Sequence, residues 1–413
     1  MNNILLISTI YPIFDSQNHG TKVCHYFAQD WIKMGYNVRV VHYQAIYPRP
    51  FYWIAKLMRN YLAAKTGAVI YTTRELKVLH YNMDGVPVIR IPLYKPLPHG
   101  KFAASAVIKS IAEIVNDNKK AGFVPDVIVG HFINPQLEVL SLLKSYYPNA
   151  KTTLIYHLSA EIQMVKNVYG KRYDELISAV DVLGFRNITI RKEFEKIATH
   201  PFKSFICYSG VPEEYVAIGN HKYNDRVKEF IYVGEMIERK YPALIIDALQ
   251  EAYRDDPYHI NYIGVGQQIK AIKRKVKSYN IDDKVTLKGR IPRNQIKQLY
   301  DQADCMIMIS RGEAYGLAYL EAMARGCIVV ASRNEGFDGI IKDGVNGYLC
   351  NAGDRHELAK VIIRIKQLSN AEKQNISRKA IETAKWLTDH NAAKIYIENI
   401  VKLTERNYDT PSF

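Results

Sequence analysis

Two carboxylates stand eight positions apart, Glu313 and Glu321, in the stretch running from Ser310 through Gly316 to Gly326. An apolar run, Cys305 to Ile309, precedes the stretch, and a second, Cys327 to Ala331, follows it. This reads as strand, glycine-bearing loop, short helix, strand. A helix beginning near Tyr315 or Gly316 leaves Glu313 in the loop and places Glu321 about one and a half turns in. A helix N-terminus offers unpaired N–H groups and the positive end of a dipole, which suit a phosphate. Carboxylates beside it are poor phosphate ligands but good acceptors for sugar hydroxyls. The combination points to a nucleotide sugar.

Such a loop needs a sheet to hold it. In the first half, Ile4–Ser8, Val38–His42, Val88–Ile91, Val127–Gly130 and Thr153–His157 predict strands, and Val23 to Met34 predicts a helix stopped by Gly35. Strands separated by helical stretches imply an α/β, doubly wound parallel sheet. Ligands in such sheets collect at the carboxyl ends of strands, which singles out the loop Thr9 to Gly20 and the residues just after Val129. The periodicity breaks around Tyr208 to Glu214. A second alternating series then runs through Phe230–Val233, Asn261–Ile263, Val285–Leu287, Cys305–Ile309 and Ile328–Ala331. A chain of 413 residues divides naturally into two domains of about 200 residues.

Joined to Ser310, Gly316 and the Glu-Ala-Met-Ala run, and followed by Glu335-Gly336 and Ile340 to Leu349 with its glycines 344 and 347, the Glu-x7-Glu pair resembles a family signature. It is that of the retaining glycosyltransferases of family 4, which have the GT-B architecture. The resemblance runs from about Asn3 to Ile400 and is specific between Val285 and Leu349. It implies two Rossmann-like doubly wound domains with an interdomain cleft. Residues 1–208, joined by a C-terminal helix at 388–413, would bind the acceptor, and residues 209–387 the donor. The implied reaction moves a sugar from a nucleotide-diphosphate donor, most often a UDP-sugar, with retention of configuration. The implied acceptor is a glycan or polyprenyl-linked glycan of a bacterial surface polysaccharide such as a capsule. No metal and no other cofactor is implied, and the chain has no Asp-x-Asp pair.

The resemblance also assigns residues. Lys240 matches the family's phosphate-binding lysine after Gly234, but the preceding arginine position holds Glu235, so either Glu235 turns away or Arg239 supplies the charge. Glu313 would take donor-sugar hydroxyls and Glu321 the ribose, with Ala314, Tyr315, Gly316 and Leu317 bordering the diphosphate. Gly264, Gly266, Arg290 and Ile291 follow strands whose loops approach the nucleotide in the family. His131 matches a histidine near the reacting carbon, and Gly20 a glycine-rich first loop. His19, His157 and Glu161 are acceptor-side assignments. No protein base is expected, the departing phosphate taking the acceptor proton. A GT-B-fold UDP-sugar epimerase is an alternative.

The formal net charge of +15 asks for an anionic partner. Residues 48–77 carry Arg49, Lys56, Arg59, Lys65, Arg74 and Lys77 against one acid, Glu75. Within them Ile54, Leu57, Met58, Tyr61 and Leu62 keep helical spacing. A basic amphipathic helix of this type either lies on an anionic membrane surface or buries its stripe on its own domain. A non-catalytic nucleic-acid-binding protein is a further alternative, but no nucleic-acid motif organises the charge, so no nucleic acid is expected. No apolar stretch approaches the ~20 residues that cross a bilayer. There is no signal-peptide pattern, and the five cysteines are scattered without CxxC spacing. The expectation is a cytoplasmic protein with reduced thiols, peripheral on the inner face of the plasma membrane.

Overall fold

The computed structural model describes residues 2–13, 22–66, 73–98, 100–219 and 221–405. Two compact units emerge. One comprises Met1–Arg186, Ile190–Cys207 and Ala393–Phe413, the other Asn187–Thr189 and Tyr208–Ala392.

The strands of the first unit are β1 (Asn3–Ser8), β2 (Asn37–Ile46), β3 (Leu79–Met83), β4 (Val86–Tyr94), β5 (Val127–His131), β6 (Lys151–Tyr156), β7 (Val182–Phe185) and β8 (Ser204–Ile206). They lie in the order β3-β4-β2-β1-β5-β6-β7-β8 among the described residues. All neighbours are parallel except β3 and β4. That pair forms a hairpin through Asp84 and Gly85, whose φ angles of 50° and 87° suit a two-residue turn. The periodicity argument had found neither this hairpin nor the short β7 and β8. Strands such as Ile4–Ile7 and Val127–Val129 are buried on both faces, as continuous apolar runs in a covered parallel sheet should be.

Register decides which side chains meet at the carboxyl edge. Ser8 stands opposite His42 on one side and His131 on the other, and His131 stands opposite Ile155 of β6. The last helix, Asp389–Glu405, belongs to this unit from Ala393 onward. There Trp31 Nε1 donates to the Ala393 carbonyl at 2.9 Å, and Tyr396 packs edge-on against Phe27 and Trp31.

The second unit holds β9 (Glu229–Val233), β10 (His259–Ile263), β11 (Val285–Gly289), β12 (Cys305–Ile307), β13 (Ile328–Ser332) and β14 (Tyr348–Cys350). Their order is β11-β10-β9-β12-β13-β14, all parallel. The amino edge is closed by a buried carboxylate. Asp304, just before β12, accepts from the amides of Asn224, Lys228 and Glu229 at 3.1, 2.9 and 2.9 Å. The buried Lys373 donates to the carbonyls of Asn224 and Asp225 beside it. One acid therefore fixes the segment that leads into β9. All five cysteines are buried and unpaired.

Removing the Asp304 acceptor leaves three partly buried amides without their partner at once. Asp304→Ala should destabilise the second unit by roughly 3 kcal/mol or more, and Asp304→Asn, which keeps an acceptor oxygen, by distinctly less. Denaturant unfolding of both variants checks this; equal stabilities would show that the clasp contributes nothing.

Candidate active site

Lys240 and Glu313 meet at the carboxyl edge of the second sheet. β9 ends at Val233, and the chain continues through Gly234 into a 3-10 turn, Glu238–Lys240. Lys240 Nζ lies 3.3 Å from Glu313 Oε2, and both side chains are largely sheltered. The carboxylate oxygen is nonetheless outside hydrogen-bonding geometry. The pair is thus a sheltered ion pair rather than a hydrogen bond.

The loop bearing Glu313 is held from both sides. Glu335 accepts from the Glu313 amide at 2.9 Å, and burial holds the Glu335 carboxyl above its usual range against the pull of the Glu313 and Gly312 amides. The next residue, Gly336, runs so close that a Cβ there would lie 2.5 Å from the Glu313 carbonyl oxygen. From the other side Arg239 donates to the carbonyls of Arg311 and Gly312 at 3.1 and 3.2 Å. Glu235, meanwhile, is exposed. Of the two alternatives left by the sequence, the glutamate turns to solvent, and Arg239 braces the loop.

The helix opens at Leu317, one or two residues later than the spacing predicts, with Gly316 in the left-handed region as its N-cap. A side chain at Gly316 would collide with the Tyr319 ring, 2.4 Å away, so the cap needs glycine. Tyr315 is buried and its hydroxyl donates to the Ser209 carbonyl, while Asn187 Nδ2 donates to the Ala314 carbonyl at 2.8 Å. Ala314, Tyr315, Gly316 and Leu317 therefore sit at the mouth of the helix.

Glu321 is buried one turn in and accepts from Arg293 Nε at 2.7 Å. Burial raises its carboxyl pKa, and Arg293 opposes that rise. Arg293 escaped the sequence reading because a basic residue at the start of a helix carries no pattern of its own. Arg290 is exposed and Ile291 half-buried just past β11. Gly264 and Gly266 have another reason to be glycine. A Cβ on either would strike the carbonyl oxygens of Gly234 or Met236, at 2.0 and 2.3 Å. They let the loop after β10 lie against the loop after β9, and so support Lys240.

In the first unit the expected residues do gather, but in the interior. His131 is fully buried, sharing a 2.9 Å hydrogen bond from Nδ1 with His157 Nε2 and one of 3.2 Å from Nε2 with the Tyr396 hydroxyl. Both of its ring nitrogens are thus engaged within this unit. His131 positions His157, against which Phe132 stacks at 3.9 Å. Phe132 has a φ of 67°, strain of the kind that clusters at functional sites. Glu161 accepts from the amides of His157 and Leu158, the latter at 3.1 Å, and reaches the Ile133 amide at 3.4 Å. It thereby ties the loops after β5 and β6 together. His42 and Ser8 complete the row and were missed, although their signal was readable: a polar residue ending an apolar run. His19 and Gly20 lie outside the described residues.

The titration of this row follows from burial. His42 and His131 are pushed from 6.5 down to about 3, by burial first and then by the positive charges of Arg90 and Arg186 respectively. His157 is also driven well down. Glu161 moves the other way, raised by burial to about 7 despite its amide donors.

Residues 217–384 match the family model described as Glycosyl transferases group 1. The amylovoran biosynthesis glycosyltransferase AmsK of Erwinia amylovora is 24% identical over 361 residues, spanning 82% of this chain and 85% of its own. The lipopolysaccharide outer core galactosyltransferase WaaB superimposes with a TM-score of 0.67 at 14% identity, over 97% of this chain and 99% of that one. HepE of Anabaena, solved with UDP and glucose, gives 0.63 at 14% identity over 97% and 100%. The fold is GT-B, and the second unit carries the Glycosyl transferases group 1 domain.

Folded imidazoles that resist protonation lose to unfolded ones that accept it, so acid favours unfolding once pH falls through 6.5. At pH 5, His42 and His131 each withdraw about 2 kcal/mol of stability, and His157 adds to the loss. Glu161, protonated more readily when folded, returns about 2.5 kcal/mol. Melting temperature should therefore fall between pH 8 and 5, and Glu161→Gln, which removes the offset, should steepen the fall. An identical slope in the variant would refute the assignment.

Proposed function

We propose that the chain is a retaining glycosyltransferase that takes a UDP-sugar on its second unit and a glycan or lipid-linked glycan acceptor on its first. The observation that carries the reading is the sheltered Lys240–Glu313 ion pair at the mouth of the Leu317–Ala324 helix. A cation, a helix N-terminus and an acceptor for a hydroxyl are together what a sugar diphosphate needs.

In this reading the bond from the anomeric carbon to the diphosphate oxygen breaks as the acceptor oxygen bonds on the same face. The acceptor proton passes to the departing phosphate. Negative charge grows on that diphosphate, and Lys240 and the amides of Tyr315 to Leu317 stabilise it from fixed positions. Glu313 holds the sugar, Glu321 with Arg293 faces the ribose, and Arg290 and Ile291 border the base. Charge compensation falls to these groups rather than to a metal ion. His157 and Glu161 border the acceptor, with His131 behind them as a positioning residue. The likeness to AmsK, an amylovoran biosynthesis glycosyltransferase, supports a place in polysaccharide biosynthesis.

UDP should raise the melting temperature of the wild type, by an amount equivalent to about 2.7 kcal/mol at a hundredfold excess over Kd. Lys240→Ala should abolish that response. Glu313→Ala should respond to UDP but gain nothing further from a UDP-sugar, and its turnover should drop roughly 100-fold. Turnover should survive a chelator. Wild-type turnover in both variants would end the proposal.

A further inference from the structure

The helix Arg49–Thr66 does not bury the stripe its spacing predicts. Its inward contacts are Tyr52 and Ala55, both buried, and the Tyr52 hydroxyl accepts from the Tyr47 amide. Four large apolar side chains face solvent instead: Trp53 is 71% exposed, Ile54 49%, Leu57 87% and Met58 43%. The helix kinks at Met58, whose φ and ψ are −116° and 18°. The side chains of Arg59, Tyr61, Leu62 and Lys65 lie outside the described residues.

This helix follows the carboxyl end of β2, and its neighbour β4 ends beside it, with Ile46 paired to Tyr94. The segment leaving β4 also presents apolar groups to solvent, Tyr94 and, at 62%, Leu97. Both segments thus emerge at one end of one pair of strands. Cations border them: Arg49 and Lys56 on the helix, and Lys101 past β4, are exposed. The sequence places no acid between Asp30 and Glu75, and none between Asp84 and Glu113. Exposed apolar side chains and cations on two segments whose sequences hold no acid match a surface that is anionic outside and apolar within.

We infer that this face docks on an anionic lipid bilayer, with Trp53 and Leu57 entering the headgroup boundary and Lys56 and Lys101 contacting lipid phosphates. The inference rests on the proposed transferase only for its consequence, namely that a lipid-linked acceptor would be met at the membrane.

The test is sedimentation of the full chain with vesicles of phosphatidylcholine alone or mixed with phosphatidylglycerol. Wild type should bind the mixed vesicles and release them in high salt. Leu57→Glu should lower the partition coefficient about tenfold, and Lys56→Ala roughly fivefold. Tryptophan emission should shift to the blue on binding, and Trp53→Phe should lose that shift. The UDP-induced rise in melting temperature, measured on the same variants, shows that they are folded. Its absence from the wild type would strike the donor reading and leave this one standing. Failure of the wild type to bind mixed vesicles at low salt would overturn the inference, as would Leu57→Glu binding like wild type. Lipid-free association into dimers that Leu57→Glu dissolves would assign the face to a second copy of the chain instead.

Discussion

The amide of Glu313 is held by the carboxylate of Glu335, and the Gly336 backbone presses so close that no side chain could stand between the two segments. This contact sets where the loop Arg311–Gly316 ends and so where the next helix begins. Arg239 pins the same loop from the opposite side through two carbonyls. A charge-assisted hydrogen bond contributes roughly 1.5–3 kcal/mol, enough to keep a short loop in one conformation. The glutamate that follows then has no freedom to seek water. It must find a cation, and Lys240 stands 3.3 Å away on the turn after β9. Gly264 and Gly266 belong to the same constraint, because only bare backbone allows the β10 loop to brace that turn.

The first unit solves a different problem. Its strand ends bring His42, Ser8, His131 and then His157 to one edge, all sheltered from water. Keeping the imidazoles neutral there is easier than burying them charged, and the buried Arg186, whose guanidinium donates to the Cys207 carbonyl, enforces that choice. Glu161 is the exception, a buried acid whose oxygens take backbone amides rather than a cation. Amide donors stabilise an anion less than a salt bridge would, so burial prevails and the carboxyl titrates near neutrality. An edge built in this way is stiff near neutral pH and loosens in acid.

How legible this was depended on whether the information was periodic or spatial. The second sheet, the loop and the helix after it stood in the sequence as alternating apolar runs around Gly316. The hairpin at Asp84-Gly85 had its turn residues in plain view, but β3 alternates weakly and is half exposed. Arg293 could not be found, because its partner Glu321 lies 28 positions away and only the fold brings them together. His131 was found, but its burial was not, since Tyr396, which covers it, comes from the far end of the chain.

The helix at Arg49–Thr66 marks the limit of periodicity as an argument. Spacing shows that apolar residues share a face and says nothing of what that face meets. Here Tyr52 and Ala55 are the buried side chains among the described ones of the helix. Leaving Trp53 and Leu57 in water forgoes roughly 1.5–3 kcal/mol for each side chain that burial would have contributed. Among the described residues, both side chains stay largely exposed. The apolar side chains of this helix are thus left unburied by the described residues of their own unit, and that is the observation on which the proposed membrane contact rests.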